Sequence, residues 1–282
     1  MSKISKINRE RFDKYVVPVT EILKDLDIFY WLDVGTLLGA IRDEVINDWD
    51  HDFDLATLDI DRKKLMSAKT KLESKGFKVI LQKNLPCFED LMQIYIPRNK
   101  LETDDKGRIK VGVDHIDIYI YTKIDKNFCM RRLHEPANSS LTVYNFFRKI
   151  NKLNPQYSDT KIRGISKNIM FLFNFFPATV KRYFSNLIWK LYLNTGKSSW
   201  IVSPCELLME FTKTTLYGID FNIPKYYDKY LEYQYSENWK IPDASWNTNN
   251  TGGRLTKKIK NNVITHIPVK TIQNHEKYLW EE

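Results

Sequence analysis

Cysteine, glycine and proline are scarce in this sequence, and their scarcity excludes several classes of protein. The three cysteines among 282 residues are Cys87, Cys129 and Cys205, and they form no C-x-x-C pair. This spacing argues against a disulfide framework and against a thiolate zinc site, and it predicts buried, reduced cysteines. With ten glycines and ten prolines, the chain also lacks the composition of a fibrous or disordered protein.

Long apolar runs are absent as well. The N-terminal segment MSKISKINRERFDKY has no apolar region of the kind found in signal peptides. No segment reaches the roughly 20 apolar residues that are needed to span a bilayer. These absences predict a cytoplasmic protein, with at most a peripheral contact on the inner face of the membrane.

The composition that is present predicts a folded domain with an anionic partner. Hydrophobic residues make up 43% of the chain and aromatic residues 13%, which is enough for a substantial core. The net charge of +9 favours nucleotides, nucleic acid or acidic lipid surfaces as partners. No nucleic-acid-binding module is recognisable, so we expect no nucleic-acid partner.

Hydrophobic periodicity predicts a mixture of helices and strands over the first 122 residues. The predicted helices are residues 5–27, with a kink or restart at Pro18, and residues 61–75, with an apolar stripe of Leu65, Met66, Ala68 and Leu72. The predicted strands are 29–34, 77–81, 91–96 and 109–122. This order indicates an α+β fold.

The stretch from Phe29 to Leu58 carries the clearest functional signal. Gly35 and Thr36 interrupt an apolar run, and a glycine there permits close approach of a ligand to the backbone. We expect Thr36 to cap a short helix over Leu37–Ile41, whose first amides would face an anion. A glycine between a strand and a helix is common, so this feature alone is weak evidence for a phosphate site.

Three aspartates at alternate positions, Asp50, Asp52 and Asp54, follow in the same stretch. Residues two apart on a strand share a face, so Asp52 and Asp54 should project together and could bridge Mg²⁺. Clustered carboxylates are unfavourable unless a cation neutralises them. An EF-hand also begins D-x-D-x-D, but Leu55 and Asp61 occupy its glycine and glutamate positions. A solvated acidic turn is the simpler alternative.

Asp117 is a further acid on a predicted apolar strand. Alternation places it on one face with four other residues, Val113, His115, Tyr119 and Tyr121. Taken alone, it is also compatible with an edge residue that points at water. Together with Asp52 and Asp54 it forms a pair of acids on one strand and a single acid on a later strand, which we expect to be antiparallel. This pattern resembles the catalytic arrangement of the nucleotidyltransferase superfamily.

A closer resemblance is to the LicD/fukutin family. GTLLGAIR followed by WDHDFDLA is similar to its signature, G-T-L-L-G-A-[VI]-R…W-D-x-D-x-D. The resemblance covers about residues 20–122 and resumes between Leu216 and Pro242, where P-K-Y-Y-D-K-Y-L is similar to the family's closing segment. His51 stands where many members carry another aspartate, and Ser236 replaces a usual glycine. These departures leave the identity of the transferred group open.

The resemblance implies a fold and a reaction. The fold would be a nucleotidyltransferase-like α+β core over residues 1–125, with a mixed or antiparallel sheet and flanking helices. A mostly helical, basic and aromatic region over 126–282 would complete the acceptor side. The reaction would move phosphocholine, or a ribitol or glycerol phosphate, from a CDP-activated donor to a sugar hydroxyl of a glycan, with release of CMP.

The resemblance also implies residue roles. Asp52 and Asp54 would hold Mg²⁺ or Mn²⁺, and Asp117 would complete the metal site or take the acceptor proton. The remaining candidates are substrate-binding residues: Gly35 and Thr36 against the donor phosphates, Arg42 near the leaving CMP, and Asp50 as an outer orienting group. Arg42 is equally compatible with a surface ion pair.

Two alternatives to this reaction stay open. One is a nucleotidyltransferase that adds a nucleotide to a small molecule or glycan, and the other is a non-enzymatic module that binds membranes or nucleic acid. Residues 161–200 contain seven lysines and arginines, no acids and many aromatics. This composition suits helices resting on anionic lipid, or an ordinary helical subdomain with an aromatic core.

Overall fold

The structure is a computed structural model that describes most of the N-terminal half and parts of the C-terminal half. The described residues are 3–59, 62–82, 91–97, 100–101, 112–123, 128–136, 198–243, 254–260 and 263–268, with five positions between 176 and 183. The basic and aromatic segment 161–200 lies almost entirely outside them. Among the described residues, no helix is long and apolar enough to cross a membrane.

A long helical segment opens the chain. Helix α1 spans Lys3–Arg11, a π-helical turn spans Phe12–Val16, and helix α2 spans Val17–Asp25. Pro18 lies in the first turn of α2, where a residue without a backbone N–H is tolerated. The wider π-helical turn directly before it interrupts the α-helical hydrogen bonding, while the backbone stays helical on both sides, so the predicted irregularity at Pro18 is a local change of helix type.

Five strands form a mixed central sheet in the order β1–β2–β5–β4–β3. They are β1 (Trp31–Leu32), β2 (Asp52–Leu58), β3 (Lys78–Gln82), β4 (Leu91–Tyr95) and β5 (His115–Lys123). The pairing of β2 with β5 is parallel, and the other pairings are antiparallel. The predicted α+β class is therefore confirmed.

The expectation that Asp117 lies on a strand antiparallel to Asp52 and Asp54 was wrong. The connection after β2 passes through helix α4 (Arg62–Ser74), which carries the chain back to the start of β3. The strands β3 and β4 pair antiparallel, as do β4 and β5. The chain thus reverses twice after β3, and β5 runs in the same direction as β2.

Helix α3 (Val34–Arg42) begins earlier than the sequence predicts. The predicted strand over 29–34 is reduced to two residues, and Asp33, in an extended conformation, is the residue that precedes the helix. Thr36 is therefore in the first turn and does not cap the helix. A tertiary contact prevents the capping, because the Thr36 hydroxyl accepts a hydrogen bond from the backbone N–H of Asp54 at 2.7 Å.

Helix α4 buries a narrower stripe than predicted. Leu65, Ala68 and Leu72 are fully buried, whereas Met66 is 49% exposed. Met66 follows Leu65 directly and is turned about 100° away from it around the helix, off the buried face. Gly76 ends this segment at a φ of +89°, a conformation that side chains other than glycine rarely adopt.

The described part of the chain after residue 125 is mainly strand, where the sequence analysis expected mainly helix. Its elements are β6 (Phe128–Pro136), β7 (Ser198–Pro204), a 3₁₀ turn (Cys205–Leu207), β8 (Phe211–Leu216), β9 (Ile219–Pro224), α5 (Tyr227–Tyr235), β10 (Arg254–Lys260) and β11 (Val263–Pro268). Strand β6 pairs with the end of β5 and extends the sheet through β7, β10 and β11. The proposed division at residue 125 stays a prediction.

The main hydrophobic core joins the N-terminal helices, the central sheet and the β8–β9 hairpin. Three aromatic rings illustrate this: Phe12 lies 5.7 Å from Phe53 and 6.1 Å from Phe221, and Phe53 lies 5.9 Å from Phe221 between ring centroids. Phe53 points away from Asp52 and Asp54 because side chains alternate along β2. The acids therefore lie on the face of the sheet opposite Phe53 and its aromatic neighbours.

Candidate metal centre

The parallel register of β2 and β5 brings four ionisable side chains together. Asp52 lies opposite His115, and Asp54 lies opposite Asp117. Paired residues and residues two apart along a strand share a face, so these four side chains share one face of the sheet. The sequence predicted that Asp52 and Asp54 project together, and the structure places Asp117 beside them.

Asp52, His115 and Asp117 form a group of potential metal ligands. Each offers one ligand atom, and the three atoms lie within 4.8 Å of one another. His115 Nε2 is 3.9 Å from Asp52 Oδ2 and 3.8 Å from Asp117 Oδ1. Both distances are too long for hydrogen bonds but within the range of ion pairs, so the three groups converge on one point.

Asp54 is held from the backbone side by the first turn of α3. Its N–H donates to Thr36 Oγ1 at 2.7 Å, and its Oδ2 accepts from the Thr36 N–H at 3.3 Å. Its carbonyl oxygen accepts from the Asp33 N–H at 3.2 Å. Asp54 Oδ1, in contrast, is buried and has no hydrogen-bond partner among the residues that the structure describes.

Asp54 is also surrounded by negative charge. Burial raises the pKa of its carboxyl group well above the usual range, and four neighbouring acids add to the effect; in decreasing order they are Asp52, Asp117, Asp50 and Asp33. A buried carboxylate oxygen without a donor is expensive unless a cation approaches it. Asp54 therefore fits a cation ligand better than a structural residue.

Gly35 allows α3 to approach the acids closely. A Cβ atom at this position would lie 3.1 Å from Asp54 Oδ2, which is tighter than ordinary van der Waals contact, and 3.4 Å from Asp50 Oδ2. The close approach that the structure shows at Gly35 is that of the Asp54 and Asp50 carboxylates. Contact of Gly35 and Thr36 with donor phosphates stays a prediction.

Asp50 precedes β2 and reaches the site from a loop. Burial raises its pKa to about 6, the charge of Asp52 adds to this, and a hydrogen bond from Asn47 and the charge of Arg42 oppose it. Asn47 Nδ2 donates to Asp50 Oδ2 at 2.9 Å, and Arg42 Nη2 donates to Asn47 Oδ1 at 3.2 Å. Arg42 therefore acts on Asp50 both by its charge and through Asn47, a residue that the sequence did not point to.

Arg42 has further contacts that limit its freedom. It forms an ion pair with Asp43 at 2.6 Å, and its guanidinium lies 5.7 Å from the ring centroid of Trp49. Its side chain is 9% exposed. These contacts favour the ion-pair interpretation of Arg42 and leave its role near a leaving CMP as a prediction.

Asp117 is a buried residue of a central strand. It is 5% exposed, and β5 has neighbours on both sides, so the alternative of an edge residue facing water was wrong. Gln93 Nε2 donates to Asp117 Oδ1 at 3.2 Å, and the Tyr95 hydroxyl donates to Gln93 Oε1 at 3.1 Å. This chain of hydrogen bonds fixes the Asp117 carboxylate from the β4 side.

His115 is the site residue that the sequence analysis did not select. Alternation placed it on the Asp117 face, so the signal was available, but a single histidine on a strand is usually structural. Burial alone would lower its pKa; a hydrogen bond with Asp114 and the charges of Asp117 and Asp52 outweigh this and raise the pKa to about 9. His115 therefore belongs electrostatically to the acid cluster.

The closing segment packs behind the site and not in it. Tyr230 of α5 and Tyr121 of β5 both donate hydroxyl hydrogen bonds to the fully buried Asp33, the latter at 3.0 Å. Burial and the charge of Asp33 raise the pKa of Tyr230 well above its usual range, so its hydroxyl stays a donor. Tyr217 accepts from the Ile46 N–H at 3.1 Å, ahead of the Asp50 loop. The segment thereby contacts residues on both sides of α3 in the sequence, Asp33 before it and Ile46 after it.

These features define a class of protein: an α+β protein in which a mixed sheet and the first turn of a helix present a candidate metal centre. Residues 27–106 match the family model described as LicD/FKTN/FKRP, nucleotidyltransferase domain. The chain therefore carries a LicD/FKTN/FKRP domain, and the resemblance seen in the sequence is confirmed. No curated protein matches the chain. The matched segment contains α3 and β2 but ends before β5, and a domain of this description indicates a transferase.

Proposed function

We propose that the protein is a phosphotransferase that depends on a divalent cation. It moves a phospho-alcohol group, of the phosphocholine, ribitol phosphate or glycerol phosphate type, from a CDP-activated donor to a sugar hydroxyl of a cell-surface glycan. The observation that carries this proposal is the register of β2 and β5, which assembles Asp52, Asp54 and Asp117 inside and beside the matched family domain.

The residues present fit a divalent cation. The group is rich in carboxylate oxygens, which Mg²⁺ and Mn²⁺ accept, and Asp54 Oδ1 is a buried acceptor in need of a positive partner. Asp52 and Asp54 would hold the ion, and Asp117 would either complete the site or take the acceptor proton. When bound, the ion would neutralise negative charge on the donor phosphates, because that charge otherwise repels an incoming hydroxyl.

The protein's own groups would orient the reactants. Gly35 leaves space beside the acids, because a side chain there would contact Asp54 and Asp50. Thr36 fixes Asp54 through two hydrogen bonds, so its contribution to donor binding is indirect. Arg42 holds the Asp50 loop through Asn47 in the same indirect way. We assign Thr36 and Arg42 as positioning residues.

The transfer itself exchanges one bond for another. The acceptor oxygen forms a bond to the phosphorus that carries the alcohol, and the bond from that phosphorus to the CMP oxygen breaks. The proton of the acceptor hydroxyl goes to a carboxylate within hydrogen-bond reach, for which Asp117 is the candidate. Gln93 keeps Asp117 oriented by donating to its Oδ1 at 3.2 Å.

Calorimetry with the full chain tests the proposal. CDP-choline, CDP-ribitol, CDP-glycerol and nucleoside triphosphates are titrated in Mg²⁺ and again in Mn²⁺. We expect at least one CDP-alcohol to bind, and we expect Asp52→Ala combined with Asp54→Ala to abolish cation-dependent binding and donor turnover. Turnover that survives the double change contradicts the metal site. Tight binding of a triphosphate alone supports the alternative, a nucleotidyltransferase.

Peripheral membrane contact through 161–200 is a separate part of the proposal. The support is compositional, since this segment has seven basic and no acidic residues. Binding of the full chain to vesicles with and without anionic lipid, at low salt, tests it. A protein that ignores anionic vesicles under these conditions refutes it.

A further inference from the structure

The Nε2 atom of the His115 imidazole faces the acids of the candidate metal centre. Its Nε2 lies 3.9 Å from Asp52 Oδ2 and 3.8 Å from Asp117 Oδ1. Its side chain is 15% exposed and is located directly opposite Asp52 in the β2–β5 register. An ion shared by the two carboxylates would therefore have a nitrogen atom among its neighbours.

The other nitrogen of His115 is already engaged. Nδ1 lies 2.6 Å from Asp114 Oδ1, which makes the pair a charge-assisted hydrogen bond with Nδ1 as the donor. A neutral imidazole that donates from Nδ1 has its lone pair on Nε2. In many metal sites, a histidine that binds the metal donates its other N–H to a carboxylate. The carboxylate fixes the tautomer and increases the basicity of the ligand nitrogen.

Further contacts hold Asp114 and the imidazole ring in place. The Asp114 N–H donates to the His51 carbonyl at 2.8 Å, and the Asp114 carbonyl accepts from the Ile96 N–H at 3.0 Å. The ring of His115 stacks on Tyr95, with centroids 5.4 Å apart and planes 22° from parallel. The direction of Nε2 is thus preset by packing and by backbone hydrogen bonds, as a ligand requires.

We propose that His115 is a nitrogen ligand of the metal centre, that Asp114 positions it, and that the site therefore selects Mn²⁺ over Mg²⁺. This inference rests on the proposed function, because it adds a ligand to the same metal centre. Mg²⁺ strongly prefers oxygen ligands and near-ideal octahedral geometry, whereas first-row transition ions accept imidazole together with carboxylates. The competing interpretation is an ion pair in which His115 is itself the cation that the acids need.

Pulsed electron paramagnetic resonance on the full chain loaded with Mn²⁺ distinguishes the two interpretations. A coordinated imidazole gives a ¹⁴N coupling to the Mn²⁺ electron spins, and we expect this coupling in the wild-type protein. His115→Gln should remove it, and the Mn²⁺-to-Mg²⁺ affinity ratio, measured by competition calorimetry, should fall at least ~10-fold. His51→Gln is the matched control, because His51 is exposed and precedes β2.

Asp114→Asn gives a second, graded test. It leaves the His115 ring in place but weakens the group that orients it, so we expect the ¹⁴N coupling to persist while Mn²⁺ affinity falls by ~10–100-fold. Circular dichroism and thermal unfolding confirm that the variants are folded. A wild-type protein that binds Mn²⁺ without ¹⁴N coupling overturns this inference and leaves the proposed function standing. Mn²⁺ binding that survives Asp52→Ala with Asp54→Ala refutes the proposed function as well.

Discussion

Replacing Thr36 by valine removes one side-chain oxygen from beneath the acid cluster. The Asp54 carbonyl accepts from Asp33, so the Asp54 N–H points to the same side of β2, where the Thr36 hydroxyl accepts it at 2.7 Å. Valine has nearly the same shape as threonine but no acceptor. The buried N–H then loses its partner, which costs about 1–3 kcal/mol. For a chain of this size that cost corresponds to a Tm lower by about 2–12 °C.

The assay is thermal unfolding of the metal-free protein, with Thr36→Ser as the matched control. Serine keeps the hydroxyl and loses a methyl group, so it should retain most of the stability that valine removes. Calorimetric titration of Mn²⁺ provides a second measurement, since Asp54 should be less well placed in the valine variant. Equal Tm values for the valine and serine variants would refute the claim that this hydrogen bond supports Asp54.

Three further perturbations test other parts of the structure. Asp54→Asn removes a carboxyl group whose raised pKa destabilises the folded, metal-free protein at neutral pH, so its Tm should rise. The same change should eliminate the stabilisation by added Mn²⁺, about 2.7 kcal/mol at 100 times Kd, in thermal-shift measurements, and an unchanged Mn²⁺ shift contradicts this. Gly39→Ala places a Cβ 2.5 Å from the Val45 carbonyl oxygen and should lower the free energy of unfolding by about 1–3 kcal/mol. Urea unfolding measures this, and a midpoint equal to that of the wild-type protein contradicts it. Tyr230→Phe removes a hydrogen bond to the buried Asp33 and should cost about 1.5–3 kcal/mol, and an unchanged unfolding free energy refutes its role.

Features that depend on near neighbours in the sequence were predictable. The projection of Asp52 and Asp54 from one face of a strand follows from the two-residue period, and Phe53 and Leu55 are fully buried on the other face. The interruption at Pro18 follows from the missing N–H of proline. The GTLLG and WDxDxD motifs are also local, and they were sufficient to identify the family.

Errors arose where a distant contact overrides a local preference. Thr36 is a good helix cap by itself, but the Asp54 backbone engages its hydroxyl, and the helix begins three residues earlier than predicted. The direction of β5 depends on the number of reversals between β2 and β5. That number is set by the path through α4, β3 and β4, and no residue of β5 encodes it.

The chain by itself determined the α+β class, the family and the pair of acids, because each depends on short-range periodicity or on a contiguous motif. Only the tertiary structure decided which other groups join that pair. Asp117 and His115 face Asp54 and Asp52 because of the register between strands 63 residues apart, and a slip of one residue would turn both away. Register is a property of two strands and of the core beneath them, so it could not be read from either strand alone.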